Sequence, residues 1–183
     1  MSEISARYER LATEFAATVA RVPAERWDAA SPCAGWTALD VVRHVVDTQG
    51  AFLGLIGREA APLPSVEEDP LAAWKGAAHG VQTVLDDPRQ AATTFEGHFG
   101  VTAFEEAVDR FIAFDLVVHR WDLARATGLD ERIAPADLRW IGEAAAGFAT
   151  EPSAKEHFAP GLTPPPGADE QTRVLALLGR RAW

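Results

Sequence analysis

The sequence predicts an all-α protein: an up-down four-helix bundle with additional C-terminal helices. Three observations lead there. Apolar residues recur at spacings of three and four through four separate stretches. Clusters of Pro, Gly, Asp and Ser divide those stretches from one another. Helix start and stop signals, Thr37 with Asp40, Thr102 with Glu105, Gly128 and Pro135, fall at their boundaries.

Ile4 to Val22 opens the chain as an amphipathic helix, with Ile4, Tyr8, Leu11, Phe15 and Val19 on one stripe. Pro23 stops it. The loop WDAASPCAGWT, starting at Trp27, has the Pro, Gly, Ser and small residues of a defined turn. Thr37 and Asp40 form a capping box with Asp in place of Glu, opening a second helix that runs to about Ile56 and ends at Gly57. Val41, Val45, Phe52 and Leu55 mark its apolar face, and His44 falls close to that face. Residues 58–69 are Pro-rich and acidic, a loop by composition.

A third helix spans Pro70 to about Leu85 on Leu71, Trp74, Ala78, Val81 and Leu85; Gly76 and Gly80 weaken it without ending it. The Thr-, Phe- and Gly-rich stretch ATTFEGHFGVT fits a short hairpin or an extended loop. Thr102 with Glu105 is a second capping box, opening a long fourth helix. Its stripe is Phe104, Val108, Phe111, Val118 and Leu123, and Gly128 sits where a left-handed cap would fall. Pro135 starts a helix to about Ala149 through Leu138, Ile141, Ala145 and Phe148. After an irregular, Pro-rich 159–167, a short last helix runs from Asp169 to Leu178 on Val174, Leu175 and Leu178, ended by Gly179. The expected organisation is one domain over 1–183, with a bundle core of about 1–128 and a helical extension of about 129–183.

Composition narrows the function classes. The 183 residues are 48% hydrophobic and 24% charged, ordinary for a soluble globular chain. The formal net charge is −10, from 27 acidic against 17 basic residues, with no Lys/Arg block. Phosphate neutralisation needs clustered cations, so nucleic acid is not an expected partner. The apolar runs are far short of a bilayer span and no basic-then-apolar leader opens the chain, which gives no membrane partner and a cytoplasmic expectation. The lone Cys33 excludes an internal disulfide framework and a Cys-rich zinc site. It reads as a small side chain in a tight turn, with a nucleophile or a ligand as the alternative.

The chemistry concentrates on FIAFDLVVHRWDLARATG. Asp115 and His119 are four apart on a helix and present a carboxylate and an imidazole to one spot, with Asp122 a turn later. An inward carboxylate has to be paired or bound to a cation. The spacing leaves both open: a hydrogen-bonded core pair or two metal ligands. Bundle interiors host metals on an i, i+4 pair plus single ligands from other helices, and His44 supplies the single histidine. His44, Asp115 and His119 together match the ligand count of a catalytic zinc site with one place left open. The same set suits nickel or iron(II). Asp47 and Asp122 either orient the imidazoles or serve as solvated or capping residues, and Trp36, Trp121 and Phe99 either wall a pocket or belong to the core. His98 belongs to the TFEGHFG loop, while His79 and His157 read as surface residues.

Two segments carry a resemblance. SPCAGWTALDVVRHVV resembles the pattern in which Pro-Cys-x-x-Trp-Thr leads into a helix bearing one His, and FDLVVHRWDLARATG resembles Asp-x-x-x-His-x-Trp-Asp-Leu-Ala. The ending RVLALLGRRAW is similar to the closing segment of the same group. That group is the actinobacterial branch of the DinB-like superfamily that includes the mycothiol-dependent maleylpyruvate isomerases. The resemblance implies a DinB-like bundle holding a divalent metal, zinc first or else nickel, on His44, Asp115 and His119. It also implies mycothiol as cosubstrate and a small-molecule electrophile as substrate, in a transferase or isomerase reaction. The isomerase of this branch has Glu where this chain has Asp115, one methylene longer. It also carries a second, sterol-carrier-like domain, for which residues 129–183 are expected to be too few. The alternative reading is a non-enzymatic metal-binding bundle with a structural, sensing or dimerisation role, its ion closed by His98 or Asp122 as fourth ligand. Assembly as a homodimer is left open.

Overall fold

The computed structural model describes residues 2–97, 100–149 and 161–183. Three sequence-derived positions, His98, Phe99 and His157, lie outside the described residues, as does the side chain of Phe148. The chain divides into two compact units, Met1–Glu131 and Arg132–Trp183.

In the first unit, α1 (Glu3–Val19) starts at Ser2, whose hydroxyl accepts from the Ser5 amide, and buries Tyr8, Leu11, Phe15 and Val19. A short 3₁₀ turn, Ala24–Arg26, and the loop to Thr37 lead into α2 (Ala38–Leu55). The expected capping box is formed: the Asp40 amide donates to the Thr37 hydroxyl, and the Thr37 amide donates to the Asp40 carboxylate at 2.9 Å. Gly57, at φ 70°, supplies the left-handed residue that turns the chain away after α2. Leu55, assigned to the apolar face of α2 from its spacing, is the last residue of the helix and is 46% exposed.

Helix α3 (Pro70–Asp86) is capped by Asp69, with Pro70 in its first turn. Asp87 then caps a one-turn α4 (Pro88–Ala91), an element the sequence reading did not resolve. The Thr/Phe/Gly stretch is a two-stranded antiparallel hairpin, β1 (Thr94–Gly97) and β2 (Gly100–Ala103). The next helix starts one residue later than the Thr102–Glu105 reading. Its N-cap is Ala103, which has no side-chain acceptor, and Glu106 accepts from the Ala103 amide and the Thr102 hydroxyl. The long fourth helix is not uniform. It runs as α5 (Phe104–Ala107), a π-helical segment Val108–Ala113, and α6 (Phe114–Thr127), ending at Gly128 with φ 77°.

α1 and α2 each pack against both α3 and α6, so they stand at opposite corners of the bundle. Cross-links fix the directions. Ser5 bonds Asp86 while Phe15 meets Trp74, so α1 and α3 run oppositely. Arg7 pairs with Asp109 and Arg26 reaches the Ala126 carbonyl, so α1 and the fourth helix run together. His44 faces Asp115 while Phe52 meets Phe111, so α2 opposes the fourth helix. The four-helix bundle is as expected, but its order is up-down-down-up and not a strict up-down alternation, because the 56–69 segment carries the chain back to begin α3 in the direction of α2. The core is Tyr8, Phe15, Trp74, Phe104, Ile112, Leu116, Trp121 and Leu123, all at 3% exposure or less. Fully burying side chains of this size contributes about 1.5–3 kcal/mol each before entropy is counted.

In the second unit, α7 (Pro135–Ala149) and α8 (Glu170–Leu177) pack together. Val174 lies against Gly142, where an added Cβ would approach to 3.2 Å, and the Asp169 carboxylate caps α8 through the Thr172 amide. Among the described residues, no helix is long and apolar enough to cross a membrane.

Candidate metal centre

Two helices and one loop build the site. The 3.6-residue repeat sets Asp115, His119 and Asp122 on one face of α6, which looks toward the first half of α2, where His44 projects. Donor atoms of His44, Asp115 and His119 lie within 4.8 Å of one another. His44 Nε2 and Asp115 Oδ2 are 3.8 Å apart, beyond hydrogen-bond range. Two ligands sharing a cation through bonds of about 2.0–2.2 Å sit about 3–4 Å apart, so small side-chain adjustments close this triad on an ion. The donor set fits a divalent metal.

The two halves of the triad differ in freedom. The side chains of His44 and Asp115 are each 36% exposed, whereas that of His119 is 8% exposed. Asp122, fully buried, accepts from His119 Nδ1 at 3.0 Å. A proton held on Nδ1 leaves the Nε2 lone pair for a ligand bond, the arrangement by which carboxylates orient metal-binding imidazoles. The expectation that Asp122 could orient an imidazole therefore has a geometric basis. Asp47 has none: it lines a groove of about 230 Å³ between α2 and α3.

The loop before α2 supplies the third wall. An antiparallel bridge joins Ala30 to Thr37, the Ser31 amide donates to the Trp36 carbonyl at 2.8 Å, and Gly35 turns the chain at φ 81°. Trp36 stacks on His119 with ring centres 6.1 Å apart and lies 4.9 Å from His44. Trp121 does not join it. Two residues on from His119, it is about 200° around the helix and goes fully into the core, where its indole N–H has no hydrogen-bond partner among the described residues.

The sequence reading put Cys33 in a tight turn without placing it beside Asp122. Its thiol donates to Asp122 Oδ2 at 3.3 Å, and Cys33, His119 and Asp122 form a second group of donor atoms within 4.8 Å of one another. A contact across 89 positions has no local signature. The one clue was its place three residues before Trp36 in the same tight turn.

Residues 8–124 match the family described as the mycothiol maleylpyruvate isomerase N-terminal domain. The chain belongs to this family. It is a DinB-like family, in keeping with the all-α bundle, and the matched span takes in Cys33, His44, Asp115, His119 and Asp122. Two relatives in Mycobacterium tuberculosis, from strains CDC 1551 and H37Rv, are each 32% identical over 134 residues, covering 70% of this chain and 69% of theirs. Both are uncharacterized proteins. No solved structure matches the chain.

Proposed function

We propose that this protein binds a divalent metal, zinc in the first place, on His44, Asp115 and His119, and uses a low-molecular-weight thiol, mycothiol, as cosubstrate in a transferase or isomerase reaction. The observation that carries the reading is the triad itself: three donors from two helices within 4.8 Å, two of them about a third exposed. A bound metal there supplies charge that holds a thiol as its nucleophilic thiolate near neutral pH. The family description supports mycothiol over other thiols.

The chain's own residues divide the remaining work. Asp122 keeps the His119 Nδ1 proton in place, so Nε2 faces the site. Trp36 covers one side of both imidazoles, while part-exposed His44 and Asp115 leave the other side open, among the described residues, to a thiol and an electrophilic small molecule. That open side is what a catalytic ion needs; a structural ion is normally closed by a fourth protein ligand. Asp122 sits on the far edge of His119, bonded to Nδ1 and to Cys33, and so is not placed to be that ligand.

The test is elemental analysis of wild type beside His44→Ala and His119→Ala. The expected result is one zinc per chain, lost in both variants while their far-ultraviolet circular dichroism is kept, followed by saturable thiol binding to the loaded wild type. Nickel or iron in zinc's place would reassign the ion. Absence of bound metal after reconstitution and dialysis would overturn the reading.

A further inference from the structure

The loop from Ala30 to Thr37 meets His119 from two directions: Trp36 covers the ring face, and Cys33 reaches the carboxylate behind Nδ1. The Cys33 backbone is held on every side. Its amide donates to the Ser31 hydroxyl at 3.2 Å, its carbonyl accepts from the Trp36 amide at 3.0 Å, and the Ser31 hydroxyl adds a second donor to that carbonyl at 3.3 Å. The capping box at Thr37 fastens the loop's other end to α2, the helix that carries His44. The thiol is thus delivered from a rigid turn.

Asp122 has no exposed surface, and one of its oxygens, Oδ2, takes both His119 Nδ1 and the Cys33 thiol. A buried carboxylate holds its orientation only through the donors around it. Donation from sulfur requires the protonated thiol, so Cys33 acts here as a hydrogen-bond donor. We infer that Cys33 is a positioning residue for His119: through Asp122 it fixes the imidazole with its proton on Nδ1 and Nε2 free. The chain Cys33–Asp122–His119 couples the loop to the site on α6, and deepens the metal-binding reading on which it partly rests.

The experiment compares wild type, Cys33→Ala and Cys33→Ser in two states. In the metal-free proteins, ¹⁵N NMR of the imidazoles reads the His119 tautomer directly. The expected result is the Nδ1-protonated form in wild type and Cys33→Ser, and a mixture of tautomers in Cys33→Ala. This readout needs no metal, so it stands or falls apart from the proposed function. In the second state, zinc affinity is measured by competition with a chromophoric chelator. Losing a partner of a ligand's own support is expected to weaken binding by roughly tenfold in Cys33→Ala, the lower end of the 10–100-fold range for such groups, with Cys33→Ser within about twofold of wild type. Far-ultraviolet circular dichroism of the three metal-free proteins should coincide, showing that the fold is kept. An unchanged tautomer in Cys33→Ala would overturn the inference, as would equal zinc affinity in a wild type that does bind. A sulfur-to-cobalt charge-transfer band in the cobalt-loaded wild type, absent in Cys33→Ala, would also overturn it by making Cys33 a ligand.

Discussion

Changing Asp122 to Asn removes one charge at constant size from the least exposed polar position of the site. The amide can turn its NH₂ toward His119 Nδ1, 3.0 Å away in the native carboxylate geometry, and so favour the tautomer with its proton on Nε2. That proton occupies the lone pair a metal needs. Loss of an orienting carboxylate typically costs 10–100-fold in metal affinity, about 1.4–2.7 kcal/mol. Linkage turns this into a thermal readout. With free zinc at about 1,000 times the wild-type Kd, binding stabilises wild type by about 4.1 kcal/mol; in Asp122→Asn the same zinc gives about 1.4–2.7 kcal/mol. At about 3 °C per kcal/mol for a chain of this size, a zinc-dependent rise of about 12 °C falls to about 4–8 °C. Chelator competition and differential scanning calorimetry with and without zinc give the two numbers independently. A variant that matches wild type in both would refute the role assigned to Asp122.

Other perturbations test the frame around the site. Thr37→Ala removes a cap oxygen from α2 and should cost about 1 kcal/mol in urea unfolding. The Asp40 carboxyl is held below its ordinary value, chiefly by the Thr37 backbone N–H and then by its hydroxyl. Thr37→Ala keeps the backbone donor and loses the hydroxyl, so only the hydroxyl's share separates the two proteins; it is present above the unfolded value near pH 4 and disappears as pH falls through the lower folded value, and the gap should narrow in acid by that share. Tyr8→Phe strips the hydroxyl that donates to the buried side-chain oxygen Oε1 of Gln49 at 2.7 Å, and loss of that donor should cost about 1–3 kcal/mol by denaturant titration. Gly128→Ala forces a side chain into a left-handed conformation and should lower stability by about 1–2 kcal/mol, with metal content unchanged.

Periodicity made the helices legible. Tyr8, Leu11, Phe15 and Val19 are buried as their stripe on α1 requires, and the Thr37–Asp40 box and Gly128 fall at the ends they were read to mark. His44, Asp115 and His119 could be grouped because each lies near the apolar face of its helix, and those faces must meet in a bundle. The loop was opaque for a different reason. Cys33 touches Asp122 through the turn geometry of residues 30–37, and no helical repeat encodes where a loop side chain ends up. For Trp121 residue type left pocket wall and core both open, and helix pitch decides for the core: two positions on from His119 it points about 200° away. The π segment was invisible because five-residue hydrogen bonding leaves no distinct pattern of residue types over one turn.

That segment has a consequence for how this helix tolerates change. A π turn is a regular helix carrying one extra residue, and each residue advances an α-helix by about 100°. The half of the helix that follows the hairpin, anchored by Phe104 in the core, and the half that carries Asp115, His119 and Asp122 are joined through a wide turn that takes up the additional residue. Deleting one residue between Val108 and Ala113 would leave a continuous α-helix with both halves close to their present settings. Deleting one between Asp115 and His119, where no wide turn absorbs the change, would instead turn the two donors about 100° apart from their present facing. The π turn is thus the stretch of this helix where a residue can be gained or lost while the hairpin end and the donor triad both keep their seats.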